Sequence, residues 1–254
     1  MIDNDDPRPL AVLINPYELG RQPFALAELA AWLEADGYRV RCVDLALQRL
    51  ASEPLQQARL IAISLGMHTA TRIALEAIPR IQAQAPHARL CVFGLYAPVN
   101  AELFSGLGVH DIFGGEAEPL ISELARSLRP GLPESTTERA PADANGARVN
   151  LAKIPFKRPV RDALPPLERY ARLLLAEGEE RTVAFTEASR GCKHLCRHCP
   201  VVPVYGGRFR IVPTEVVLAD IEQQVEAGAR HVSFGDPDFF NGPTHARRLV
   251  HALH

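Results

Sequence analysis

No apolar run in the 254 residues approaches the roughly 18 needed to span a bilayer, and residues 1–6 (MIDNDD) are acidic where a signal peptide would be basic. Both absences point to a cytoplasmic protein with no membrane partner. Charge of one sign is also missing: 28 Lys and Arg against 30 Asp and Glu leave a net charge of -2. The basic stripe that grips nucleic acid is therefore absent, and a small-molecule or peptide substrate is expected. Cysteine is scarce and odd in number, with five in a chain that shows no export signal. That argues against a disulfide framework and for thiolate chemistry or metal binding. Neither a solenoid-period repeat nor a coiled-coil heptad is found. What remains is globular, because 47% hydrophobic residues suffice for the cores of one large domain or two modest ones.

Short apolar runs at 10–14, 39–43, 60–65, 90–93 and 110–113 alternate with helical patterns at 24–36, 71–84, 99–107 and 118–128. The expected fold class is α/β: a five-stranded, parallel, doubly wound, Rossmann-like domain over residues 1–128. Ligands of such sheets sit beyond the carboxyl ends of the strands, where strand order reverses. Residues 129–147, rich in Pro, Ser, Thr, Glu, Ala and Gly, read as a solvated linker. A Pro-rich strap with a helix-like stretch at 167–175 completes the segment 129–180. A second unit, 181–254, reads as a strand at 182–186, the cysteine loop, a helix at 214–227 stopped by Gly228, a strand at 231–234, and a further helix from Thr244.

Cys192, Cys196 and Cys199 are spaced by three and then two residues on a loop just after a strand. Such a loop can turn three sulfurs toward one point, as iron-sulfur clusters require. Three thiolates satisfy three irons of a cubane and leave the fourth open to a small chelator carrying an amine and a carboxylate. Structural zinc is the competing assignment; it wants four ligands, which His194 or His198 would have to complete. Cys42 and Cys91 lie within strand patterns and read as small buried apolar side chains. From Glu187 to Glu215 no acidic residue intervenes, while Arg190, Lys193, Arg197, Arg208 and Arg210 are basic. Their charge is expected to offset that of an anionic cluster.

The run Ser189-Arg190-Gly191-Cys192-x3-Cys196-x2-Cys199 resembles the signature of radical S-adenosylmethionine (SAM) enzymes. The resemblance implies a 4Fe-4S cluster on the three cysteines, with SAM on the open iron. An electron supplied by flavodoxin or ferredoxin would then cleave SAM to a 5'-deoxyadenosyl radical. His198 stands where the family usually carries an aromatic residue beside the adenosyl group. Gly235, Asp236 and Asp238, in the segment Gly235-Asp236-Pro237-Asp238, match the place that lies near the amino group of SAM; the same segment also reads as a Gly-Asp-Pro turn.

After the first strand, Asn15-Pro16-Tyr17-Glu18-Leu19-Gly20 resembles the Asp-x-His-x-x-Gly loop of cobalamin-binding domains, with Asn15 for Asp, Tyr17 for His, and Gly20 kept. Ser64, Gly94 and Gly115 follow or end later strands and agree in character. The resemblance implies cobalamin without a histidine ligand to cobalt, and methyl transfer or another C-H functionalisation; the alternatives are a truncated, catalytically inert corrinoid-binding module and an N-terminal domain that binds nothing. The segments 205–210 and 234–239 resemble the subfamily named for a Cys-Ala-Glu-Pro type tail, which is absent here. A barrel of about six βα units needs about 180 residues, whereas 62 follow Cys192. The expectation is a fragment that turns over SAM poorly.

Overall fold

The five apolar runs become the parallel strands β1 (Leu10–Asn15), β2 (Arg39–Asp44), β3 (Ala58–Ser64), β4 (Arg89–Phe93) and β5 (Asp111–Gly115). The computed structural model describes residues 6–129 and 146–254, so the start at 1–5 and most of the expected linker lie outside the described residues. All six residues of β1 are buried, because a central strand of a parallel sheet is covered on both faces. A sixth strand, β6 (Arg148–Asn150), joins from beyond the linker, and the order is β2-β1-β3-β4-β5-β6. The expected five-stranded sheet is thus corrected to six. Three residues, RVN, carry no apolar run; what recruits them is the open edge of β5, where Gly115 pairs with Asn150, and an Asn150 Nδ2 bond to the Glu116 carbonyl at 2.9 Å.

Among the described residues six helices flank this sheet: α1 (Phe24–Ala35), α2 (Ser52–Gln57), α3 (His68–Gln84), α4 (Tyr96–Val99), α5 (Ala101–Gly106) and α6 (Glu118–Ser127). On one face Val12, Ile14, Ile61, Ile63 and Val92 pack with Ile78 and Ile81 of α3 and Phe104 of α5. On the other, Ala11, Leu13, Ala62 and Phe113 meet Leu26, Leu29 and Leu33 of α1 and Ile121 of α6. The helix expected at 99–107 forms as α5, and the short α4 precedes it. Asn100 separates them, its Nδ2 donating to the Tyr96 carbonyl at 2.8 Å in place of a continued backbone ladder. The order reverses at β1, with β2 on one side and β3 on the other, so the switch point opens beyond the carboxyl ends of β1 and β3.

The helix-like stretch at 167–175 forms one 3-10 turn, Leu167–Arg169, and then a strand, β7 (Arg172–Leu174), antiparallel to β8 (Glu180–Thr186). A turn with Gly178 at positive φ folds β7 onto β8, and the ladder bonds gained outweigh the helical spacing of the leucines. The cysteine loop is framed by β9 (Ser189–Gly191), α7 (Val201–Tyr205) and β10 (Phe209–Ile211), with β9 and β10 antiparallel. Then α8 (Thr214–Glu226) leads to β11 (His231–Phe234), which pairs parallel with β8, and α9 (Pro243–Leu253) follows. Among the described residues no helix is long and apolar enough to cross a membrane.

The two regions are fastened by a buried polar hub. Arg161, on the strap, donates to both carboxylate oxygens of Asp220 on α8 at 2.7 Å, to Gln22 Oε1 at 2.7 Å and to the Phe185 carbonyl at 2.7 Å. Thr186 Oγ1 adds a 2.7 Å bond to Asp220. A bidentate guanidinium with its remaining donors engaged is the arrangement in which a buried charge is tolerated.

Candidate functional site

The strand β8 delivers the chain to the cysteine loop, and Asp236, just after the parallel neighbour β11, anchors that turn. Its carboxylate accepts from the Ala188 backbone N–H at 3.0 Å and from the Ser189 hydroxyl. Asp236 is therefore engaged with the entry to β9. Burial pushes its carboxyl above the ordinary value, and the bonds from Ser189 and Ala188 pull the other way. Gly235 is required by close approach: a Cβ there would lie 2.2 Å from Phe185 Cζ.

Along the loop, Cys192 is buried, Cys199 partly buried and Cys196 exposed. The His194 backbone N–H donates to Cys192 Sγ at 3.4 Å. Asn241 clamps the next residue, its Oδ1 accepting from the Lys193 N–H at 2.5 Å and its carbonyl from Lys193 Nζ at 2.6 Å. Asp238 lies beside this clamp, with its Oδ2 3.3 Å from His194 Nε2. His198 is exposed.

Arg190 has a different role from the one its sequence suggests. Its guanidinium is buried against three carboxylates of the first domain: Glu116 at 2.7 Å, Glu118 at 2.8 Å, and Glu28. Its charge is committed to them rather than left to offset a cluster. Lys193 and the Arg210 guanidinium differ in that each donates to a neutral acceptor, the carbonyls of Asn241 and Leu151 respectively.

A cleft of about 240 Å³ lies between the carboxyl ends of the first sheet and the cysteine-bearing unit. Ser64, Gly94 and Gly115 line it from one side, and Phe185, Glu187 and Gly235 from the other. Gly115 sits at φ +66°, and a Cβ there would meet the Asn150 carbonyl oxygen at 2.1 Å, so close pairing with β6 demands glycine as much as any ligand does. Of the loop after β1, Glu18 reaches the cleft, whereas Asn15, Tyr17 and Gly20 do not line it. Asn15 donates to Asp44 at 3.2 Å, and Gly20 accepts from the Ala171 N–H at 2.8 Å. The sequence-derived set thus splits: Ser64, Gly94, Gly115 and Gly235 share one cleft, Asp238 faces the cysteine loop, and Asn15, Tyr17 and Gly20 lie elsewhere.

The cleft is acidic. Glu18 and Glu187 line it, and among the described residues neither side chain makes a hydrogen bond or ion pair. Burial pushes the Glu18 carboxyl up to about 7, against the pull of Arg21, and that of Glu187 well above the ordinary range. Burial also raises Glu28 to about 8, Arg190 opposing it. Sequence reasoning missed these glutamates, because residues 18, 28, 116, 118 and 187 converge only in the fold.

No protein-family model matches the chain. It is similar to a tRNA-2-methylthio-N(6)-dimethylallyladenosine synthase from Fusobacterium nucleatum, 35% identical over 96 residues, which is 35% of this chain and 20% of that protein. It is also similar to a ribosomal protein uS12 methylthiotransferase RimO from Cereibacter sphaeroides, 36% identical over 77 residues, covering 29% and 17%. Among solved structures, the radical S-adenosylmethionine methyltransferase TsrM from Kitasatospora setae shares the fold. With tryptophan and a SAM analogue bound, it matches 96% of this chain and 50% of its own, at 20% identity and a TM-score of 0.68. With cobalamin and a 4Fe-4S cluster bound, the TM-score is 0.67 at 17% identity, over 97% of this chain and 51% of that one. This chain therefore spans about half of the solved structures and a fifth or less of the curated relatives.

Proposed function

We propose that this chain carries the cofactor-binding part of a cobalamin-associated radical SAM enzyme, acting in the cytoplasm on a small-molecule or peptide substrate with electrons from a flavodoxin or ferredoxin. The observation that carries the reading is a loop of three cysteines behind a strand in a fold shared with TsrM. The donor set fits a 4Fe-4S cluster: Cys192, Cys196 and Cys199 are free thiols on one loop, and a cubane spreads its three sulfur ligands wider than a single ion does. When bound, the cluster supplies the electron that cleaves SAM, and cobalamin supplies a methyl relay. Of the carboxylates expected beside the SAM amine, Asp238 faces the cysteine loop, whereas Asp236 holds Ser189 and Ala188. Ser64, Gly94 and Gly115 present little bulk to the cleft, as a flat corrin needs, and among the described residues no histidine lines it, so cobalamin would be held without imidazole ligation. The segments 205–210 and 234–239 favour the subfamily named for a Cys-Ala-Glu-Pro type tail.

Anaerobic reconstitution is expected to give about four irons and four sulfides per chain, lost in Cys196→Ala. The electron paramagnetic resonance spectrum of bound cob(II)alamin is expected to lack nitrogen superhyperfine coupling from a protein imidazole. Failure to take up iron and sulfide would refute the cluster, and coupling from a protein imidazole would refute the cobalamin arrangement.

A further inference from the structure

His194 has no part in the cluster just described, yet its surroundings are organised. Among the described residues, Cys192, His194 and Asp238 form a group whose ligand atoms all lie within 4.8 Å of one another. Cys196 and Cys199 are outside it. The carboxylate of Asp238 is positioned by the Phe240 N–H at 3.0 Å and by Asn241 Nδ2. The Asn241 side chain also holds the Lys193 backbone next to Cys192. One residue thus braces both halves of the group, as outer-shell partners brace metal ligands.

One sulfur, one imidazole nitrogen and one carboxylate oxygen make a mixed set that suits zinc. Calcium and magnesium want oxygen throughout, and three protein ligands with a fourth place for water is an established tetrahedral zinc arrangement. The charges close as well, since a thiolate and a carboxylate balance a divalent cation. Binding would release the Cys192 proton to solvent.

We propose that, before a cluster is assembled, the loop binds a single Zn2+ on Cys192, His194 and Asp238, with water in the fourth position. Zinc and cluster are then mutually exclusive, because both claim Cys192; this second statement rests on the cluster reading. Cluster assembly exchanges His194 and Asp238 for Cys196 and Cys199, with no change in oxidation state of the departing ion. Zinc is accordingly an inhibitor of maturation that acts at a defined site.

The test uses the metal-free full chain and Co2+ as the spectroscopic substitute for zinc. One Co2+ per chain is expected, with a thiolate-to-cobalt charge-transfer band that Zn2+ displaces. His194→Ala should weaken binding by at least about tenfold, since loss of outer-shell partners alone costs about 10–100-fold. Cys196→Ala and Cys199→Ala should keep the band although they lose the cluster. His194 is 64% exposed, so its removal should leave folding and iron uptake intact. One equivalent of Zn2+ should slow iron uptake in the parent chain and spare His194→Ala. A band that survives in His194→Ala but disappears in Cys196→Ala or Cys199→Ala would place the ion on the three thiols and overturn the proposal, as would absence of stoichiometric Co2+ binding. If the Co2+ results hold and no variant takes up iron, the zinc site stands and the cluster reading falls.

Discussion

Replacing Glu18 by Gln removes a carboxyl that burial in the cleft holds above its ordinary value. Burial pushes it from the ordinary 4.5 up to about 7. Between those values the folded state holds a proton that the unfolded chain releases. The free energy of unfolding therefore falls as pH rises from 4.5 toward about 7, and this loss is complete above the folded value. Each pH unit of the window is worth about 1.4 kcal/mol, so Glu18 accounts for about 3 kcal/mol of decline. Gln keeps the shape and does not titrate. Urea unfolding of both chains at about pH 5, 6, 7 and 8 should show the Gln variant gaining on the parent through this window and levelling off above it. Glu187 feels the Glu18 charge, so the same pair is compared in a Glu187→Gln background. Parallel profiles in both backgrounds, with a difference independent of pH, would refute the claim that burial in the cleft holds this proton.

Arg190→Met leaves Glu28, Glu116 and Glu118 without their shared cation; thermal denaturation should show a loss of about 3–5 kcal/mol, growing as pH rises, because burial already pushes the Glu28 and Glu116 carboxyls up and they would have to ionise without a counter-charge. Arg161→Met strands Asp220 in the same way and should cost about 3–5 kcal/mol by urea titration, with Asp220→Asn in that background recovering part of it. Gly235→Ala drives a methyl into the Phe185 ring and should cost about 1–3 kcal/mol; adding Phe185→Leu should return most of that loss, and no recovery would mean the strain lies in the backbone instead.

The parallel strands were readable because burial on both faces demands unbroken apolar runs, as in Leu10–Asn15, fully buried throughout. Strand β6 was not, since Arg148-Val149-Asn150 is specified by the edge it completes. Leu167 to Leu175 misled because leucine spacing suits a helix, whereas its fate was decided by pairing with β8. The strand that leads into the cysteine loop was legible from the pattern at 182–186, which falls within β8. Arg190 was misjudged, because a cation's partners are tertiary: Glu28 is 162 residues away in sequence. The same holds for Asp236, whose commitment to Ser189 depends on two strand ends meeting.

The sixth strand also changes what holds the molecule in one piece. Since Arg148–Asn150 is hydrogen-bonded to β5, the chain returns to its first sheet before it departs for the second unit. A protease cut anywhere from 130 to 145 would sever the polypeptide without releasing either half: the nicked pair should run as one species under native conditions and as two bands once denatured. The returning strand works as a stitch, and any attempt to divide the protein for separate expression should cut downstream of it.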